Sequence, residues 1–310
     1  MTALLRTRAV TRRRARRIGD TAGDRWFDIA NHTALVALAL ATLFPLLHVI
    51  SASFSEPEAV VAGQVWLWPN GWDTGAYEAA FRYPALLTGF ANSLFYAVAG
   101  GIVSTVLTLL AAYPLARRTL PGRNKLMFLF VFTMFFSGGL IPTYLVVDSL
   151  GLLNTRAAMI LPGALAVWNM IITRTYFQMT IPDELLESAK VDGCSDFRFL
   201  WSIVLPLSKP IIAVNLLFYG LGQWNSFFNA LIYLTDESLF PLQLVLRQIL
   251  VQNEVDPSQM VNLQDLARLQ DLRQQLRFAV IVIAAVPPLI IYPFVQKHFV
   301  KGVMIGSLKG

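Results

Sequence analysis

Apolar residues in this chain gather into long runs separated by shorter polar stretches. A bilayer core needs about twenty mostly apolar residues per helix. Six segments meet that length, at 31–53, 91–115, 126–147, 157–177, 211–233 and 278–296. The expected fold class is therefore all-α: a polytopic membrane protein with six transmembrane helices. Ionisable groups are nearly absent from the six segments. His48 and Arg174 sit near segment ends, where a long side chain reaches the interface. No Asp or Glu lies in mid-segment. An ion-coupled carrier usually needs such carboxylates or broken-helix ion sites, so that class is disfavoured.

Within the fifth segment the polar residues are not scattered. At 100° per residue, Asn215, Tyr219, Gln223, Asn225, Ser226 and Asn229 fall within one arc of about 160°. Unsatisfied amides in hydrocarbon are costly, so this face should meet protein or water. Two readings stay open. The face is a neutral polar wall of a translocation path, where amides match sugar hydroxyls and rings stack on apolar sugar faces, or it serves helix–helix hydrogen bonding. The second segment carries a ladder at i+4 spacing, Asn92, Tyr96, Gly100, Ser104 and Thr108, which reads as a close-packing face. Ser137-Gly138-Gly139-Leu140-Ile141-Pro142 in the third segment, and Pro287-Pro288 with Pro293 in the sixth, permit kinks.

Composition agrees with a membrane setting. The 310 residues are 55% hydrophobic and 14% charged, against about 25% charged in a soluble domain. A single Cys, Cys194, excludes a disulfide within the chain, and His32, His48 and His298 show no metal-ligand spacing. The net charge of +6 is distributed by side rather than spread. Nineteen of the 25 Lys and Arg fall in the N-terminal tail, around 116–125, in 174–209 and in the C-terminal tail. The positive-inside rule then puts both termini and the loop between the fourth and fifth segments in the cytoplasm. A cleaved signal peptide over 1–55 is the weaker reading, because the apolar run is long for one. The basic run Arg12-Arg13-Arg14-Ala15-Arg16-Arg17 reads as a topogenic tail near membrane lipid, not as a nucleic-acid site. On the outer side, Leu263, Leu266, Leu269 and Leu272 recur at a period near three among Asp265, Arg268, Asp271 and Arg273. They describe either a surface helix or a docking face for an external protein.

The cytoplasmic loop at 182–208 is the most specific feature. Pro182-Asp183-Glu184 can start a helix, with acids favoured at its positive end. Leu185, Leu186 and Ala189 give it an apolar side, and Gly193 can end it in a left-handed turn. Glu187-Ser188-Ala189, three residues, Gly193, nine residues and Ile203-Val204-Leu205-Pro206 resembles the EAA loop of ATP-binding-cassette importer permeases. Ser188 is the one departure, small for small. The order Trp66-Leu67-Trp68-Pro69, Tyr77 and Asn92-Ser93 resembles the entry to the transport core of carbohydrate permeases of this class, and the tail from Lys297 to Gly310 resembles the C-terminus of the maltose-type ones; with Phe136 to Tyr144 and the Trp224-Asn225 region, the similarity spans most of 65–310.

This resemblance implies a type I importer permease fold, with a basic tail at 1–26, a first helix at 27–53, an external loop at 54–90, a core at 91–296 and a cytoplasmic tail at 297–310. It implies that Glu187, Ser188, Ala189, Asp192, Gly193, Ile203, Leu205 and Pro206 couple to an ATPase, with Glu187 facing basic groups in its groove. The implied partners are a second permease, two ATPase subunits, an external solute-binding protein and a sugar or oligosaccharide. A peptide or polyamine is the alternative solute. The sequence contains no G-x-x-x-x-G-K-[ST], so ATP and Mg are expected on the partner, and no cofactor, metal or catalytic group is expected on this chain.

Overall fold

The computed structural model describes residues 22–252 and 276–293, and the regular elements among them are all helical. The chain divides into two units, 1–48 and 49–310. In the first, helix α1 (Ala22–Ser53, whose last turn belongs to the second unit) exposes Trp26, Leu38, Leu40 and Leu46 on several sides. An all-round apolar surface suits a lipid solvent. Thr42 returns its hydroxyl to the Leu38 and Ala39 carbonyls, so its donor is satisfied within the helix.

The second unit begins with two short helices, α2 (Pro57–Val61) and α3 (Gly75–Arg82). Ser51 donates to the Leu67 carbonyl, Ser53 bonds Tyr77, and Phe54 stacks on Tyr77 at 4.8 Å. Burial raises the Tyr77 phenol above its usual pKa, opposed by that Ser53 bond. Then comes α4 (Pro84–Ala116), 33 residues long, with a π turn at Tyr96–Gly100. The Asn92 to Thr108 ladder lies on its buried face. At Gly100 an added Cβ would stand 2.9 Å from Gln223 Cγ. The small ladder members thus let a later helix approach closely, as read from the sequence.

The third segment is bent. Helices α5 (Arg123–Phe135) and α6 (Leu140–Ser149) meet at 112°. Gly139 opens the second of them at φ 84°, a conformation that L side chains rarely adopt.

The fourth segment corrects an expectation. In place of one helix over 157–177 stand α7 (Arg156–Ile160), six non-helical residues, and α8 (Val167–Thr180). The break falls at Leu161-Pro162-Gly163. Leu161 still has helical dihedrals, φ −72° and ψ −41°, but Pro162 has no N–H to continue the bonding of α7, and the backbone leaves the helix there. The 14 residues of α8 extend only about 21 Å, short of a hydrocarbon core near 30 Å. Among the described residues three helices are long and apolar enough to cross a membrane, five if each bent pair counts as one span; the expected count of six is not reached.

The loop at 182–208 contains α9 (Asp183–Val191) and α10 (Asp196–Leu207). The latter bends by 82° into α11 (Lys209–Trp224). Helix α11 stops at Trp224, so the arc that assumed one helix over 211–233 does not carry through Asn225, Ser226 and Asn229. Asn225 turns its amide onto the Leu221 carbonyl, competing with the backbone, and α12 (Phe228–Tyr233) starts afresh.

Beyond α12 the sequence reading expects an external segment, 234–277. Its first part instead enters the core. Helix α13 (Leu242–Arg247), continued by a π turn to Gln252, buries Leu242, Leu244, Val245 and Leu246 beside Leu86, Tyr96, Trp224 and Val280. The irregular backbone before it is held by α4. Asn92 donates to the Ser238 and Phe240 carbonyls, Tyr96 to the Leu239 carbonyl, and Ser93 accepts from the Leu242 N–H. Non-helical backbone survives at such depth when its polar groups are paired inside protein. The last described helix is α14 (Leu276–Pro293), a candidate span. The leucine-rich stretch Leu263–Leu272, the tail 297–310 and the arginine run lie outside the described residues.

Candidate functional site

Helix α9 is the element that the sequence reading assigns to coupling. Leu186 and Ala189 are buried in a cluster with Leu115, Phe177, Phe199 and Val204. Glu187, Ser188 and Lys190 are exposed, and Ser188 bonds back to the Glu184 carbonyl. Leu185, expected on the apolar side, is at the surface. Three or four residues separate the inward positions, so the remaining side of the helix is left outward.

The helix ends in a Schellman turn. The Gly193 N–H reaches the Lys190 carbonyl at 3.0 Å and the Cys194 N–H reaches Ala189 at 2.9 Å, with Gly193 at φ 73°. Cys194 packs against the cluster that holds Ala189, the apolar contact that accompanies such turns. Ser195 then caps α10 by accepting from the Arg198 N–H. Of the remaining loop residues, Asp192 and Pro206 are exposed and Ile203 and Leu205 partly buried. The stated spacing thus alternates residues that fix the helix with residues that the helix presents.

A cleft of about 740 Å³ lies beside α9, with Arg117, Arg118, Arg123, Asp183 and Glu184 in its lining. The Arg117 guanidinium stacks over the Tyr113 and Phe199 rings, 4.8 Å from each. Arg118 pairs with Asp183 at 3.5 Å on an exposed edge, a contact of little energetic weight. Arg174 donates to the Leu115 carbonyl at the end of α4. The α4 end, α8, α9 and α10 are therefore tied together.

The polar face of α11 meets the broken fourth segment. Asn215 donates to Thr173 at 2.8 Å, and Tyr219 bonds Thr108 and accepts the Ala166 N–H at 3.1 Å. Gln223 donates to the Met159 carbonyl. Two of these bonds satisfy backbone that the Pro162-Gly163 break would otherwise leave open. For Asn215 and Tyr219, both buried, helix–helix bonding is the observed environment. Asn225 is exposed, and Ser226 and Asn229 are partly so, at the joint between α11 and α12.

A second cavity, of about 560 Å³, begins at this joint. Asn225 and Phe227 line one side; Gln243 and Arg247, one helical turn apart on α13, line another; Ala284 and Pro288 of α14 close it. Trp224 fixes the wall by donating to the Ala284 carbonyl at 3.1 Å. Ala284 lies in the middle of α14, a candidate span, and Arg247 lines the same cavity. A charge at the bilayer centre costs about 2.5–3.5 kcal/mol on insertion scales, less when it faces a wet cavity. Sequence reasoning missed Gln243 and Arg247 by placing them in an external loop. The signal was present: Leu242, Leu244, Val245, Leu246 and Ile249 form an apolar helix with one polar stripe.

Bent helices, polar groups paired at depth and an outward-facing helix set in a loop define a helical membrane transport subunit. Known proteins narrow the class. Residues 87–305 match the family described as the inner membrane component of binding-protein-dependent transport systems, and the chain belongs to that family. It is 44% identical over 291 residues to Protein LplC of Bacillus subtilis, covering 94% of this chain and 97% of that one. It is 44% identical over 287 residues to the polygalacturonan/rhamnogalacturonan transport system permease protein YtcP of the same organism, covering 93% and 99%. In structure it resembles a chain from the crystal structure of a bacterial ABC transporter involved in the import of the acidic polysaccharide alginate. The TM-score is 0.83 at 33% identity, over 90% of this chain and 98% of that one. The resemblance read from the loop is borne out: this is a permease component of an ABC importer.

Proposed function

We propose that this chain moves a sugar or oligosaccharide across the bacterial cytoplasmic membrane, driven by ATP hydrolysis on partner ATPases. It works beside a second permease, with two ATPase subunits and an external solute-binding protein. The observation that carries the reading is α9, whose inner side is locked into the core by Leu186 and Ala189 while Glu187 projects outward. Glu187 offers a carboxylate to basic groups in an ATPase groove. Ser188, Ala189, Asp192, Gly193, Ile203, Leu205 and Pro206 set the helix that presents it. Both termini and this loop face the cytoplasm, the side that carries most of the basic residues. Polypeptide 27–53 is the first helix, 54–90 the outer loop, and 91–296 the transport core.

ATP and Mg act on the partner; this chain contributes mechanical coupling and no catalytic group. Closure of the ATPases displaces α9, and the shared cluster passes the movement to the ends of α4 and α8 and through α10 to α11. Substrate passes the polar joint after α11, where Asn225, Ser226 and Asn229 are accessible, while Asn215, Tyr219 and Gln223 hold that wall to the fourth segment. The carbohydrate class rests on amides with exposed rings at this joint and on the named substrates of the relatives YtcP and AraQ, the arabinooligosaccharides permease of Halalkalibacterium halodurans. A tagged chain purified from its own host tests the reading. It should bring down an ATPase, and the complex with its binding protein should drive ATP-dependent oligosaccharide uptake into liposomes. Uptake that follows an ion gradient and ignores ATP would overturn it.

A further inference from the structure

Arg247 is the charge that the carbohydrate reading leaves unexplained. It lines a cavity with the middle of α14, a candidate span, is partly buried, and has no carboxylate paired with it among the described residues. Neutral sugars do not need a guanidinium. Amides and rings suffice for hydroxyls and apolar sugar faces, and Asn225, Gln243 and Phe227 already line the same cavity. A cation beside a membrane span is retained where it meets a pathway or a counter-charge. Its planar fork matches a carboxylate with two parallel hydrogen bonds. Gln243, one turn earlier on α13, is placed to bond a neighbouring hydroxyl.

We infer that Arg247, with Gln243 and Asn225, forms a subsite for the carboxylate of an acidic sugar, so that the transported class is an oligosaccharide bearing uronic-acid groups. This inference rests on the reading of the chain as a carbohydrate importer and of the α11 joint as its path. Firm binding of a charged substrate would slow release; one fork in a cavity otherwise lined by amides and apolar groups gives selection by charge without enclosing the ligand.

The test uses the complete transporter, purified through a tag on this chain and placed in ATP-loaded liposomes with its binding protein. The probes are a uronic-acid trisaccharide, its methyl ester and a phosphorylated sugar. Uptake of the free acid should exceed that of the ester. Arg247→Gln should lower acid uptake by about tenfold to a hundredfold, the weight of a charged hydrogen bond. Arg247→Lys should retain part of it, because the charge stays and the fork is lost. Gln243→Glu keeps the arginine but gives it an internal partner, and should also reduce acid uptake. The binding protein contains none of these residues, so a changed acid-to-ester ratio belongs to the permease. Equal uptake of acid and ester, or undiminished acid uptake in Arg247→Gln, overturns the inference. Preference for the phosphorylated sugar over the acid overturns it too. ATP-dependent uptake of the ester alone sinks the acidic subsite and leaves the importer reading intact; absence of uptake for all three carbohydrates sinks both.

Discussion

Gly193→Ala isolates what the Schellman turn contributes to α9, the proposed coupling helix. The residue sits at φ 73°, and a Cβ built there meets no atom within 4 Å. Steric exclusion by neighbours is therefore absent, and the substitution acts through the backbone alone. Holding a non-glycine residue in left-handed geometry costs roughly 1–2 kcal/mol. That penalty falls on the two bonds that end α9, Gly193 to Lys190 and Cys194 to Ala189. A shift of 1–2 kcal/mol changes a local opening equilibrium by about 5- to 30-fold. Trypsin reads this directly, because Lys190 lies in the last turn and Arg198 just beyond. When opening is fast relative to cleavage, the rate tracks the open population. In inside-out vesicles, cleavage at Lys190 in Gly193→Ala should rise by about 5- to 30-fold. Gly193→Asn should stay nearer the parent, since Asn tolerates this region better. An unchanged rate in Gly193→Ala would show that the turn does not hold the helix. An equal rise in both variants would show that something other than φ is responsible.

Glu187→Arg should uncouple ATP hydrolysis from uptake while the chain still inserts in the membrane; normal uptake in that variant would remove Glu187 from the contact. Tyr219→Phe strips the acceptor from the Ala166 N–H and the partner from Thr108, at about 1–3 kcal/mol for a buried group left unpaired. Its thermal midpoint in detergent should fall with substrate preference unchanged, whereas an altered preference would return Tyr219 to the path. Ser93→Ala leaves the Leu242 N–H without its acceptor at 2.8 Å, and should lower uptake through displacement of α13. Unaltered uptake together with an unaltered midpoint would show that the contact is dispensable.

Hydropathy located the first, second and last apolar helices, because membrane burial leaves a signal in every residue of a long run. The second segment, read as 91–115, is the C-terminal part of α4, and its ladder is the buried face that the spacing implied. Gly193 was legible because a single φ decides where α9 ends. The breaks were harder. Leu161-Pro162-Gly163 is visible in sequence, but an averaged window of about twenty residues absorbs one Pro and one Gly. The polar face of α11 was legible as a face, though its partner was not, since nothing local announces that Tyr219 will meet Ala166. The short helix α13 failed for a different reason. Its apolar residues and polar stripe are visible in sequence, but nothing local announces that the distant donors Asn92 and Tyr96 on α4 will hold the backbone leading into it.

These features tie α9 and the second cavity to different parts of one rod, α4. The C-terminal end of α4, at Leu115, shares the apolar cluster with Leu186 and Ala189 of α9. Its N-terminal half carries Asn92, Ser93 and Tyr96, which grip the backbone leading into α13 and hence Gln243 and Arg247. Across 33 residues the helix extends about 50 Å. A displacement of α9 therefore has two routes to the cavity. One passes through α10 and the 82° bend into α11, where an angular joint can absorb movement. The other is α4, continuous except for the π turn at Tyr96–Gly100, which lies beside the gripping residues. Turns of this kind are frequent at functional sites and add local freedom to a helix. In the proposed mechanism α4 moves as a lever and the π turn lets its gripping end reorient. The polar residues of the second segment then act on protein backbone rather than on sugar, and their amides and hydroxyls are the means by which a cytoplasmic push repositions a charge on the path.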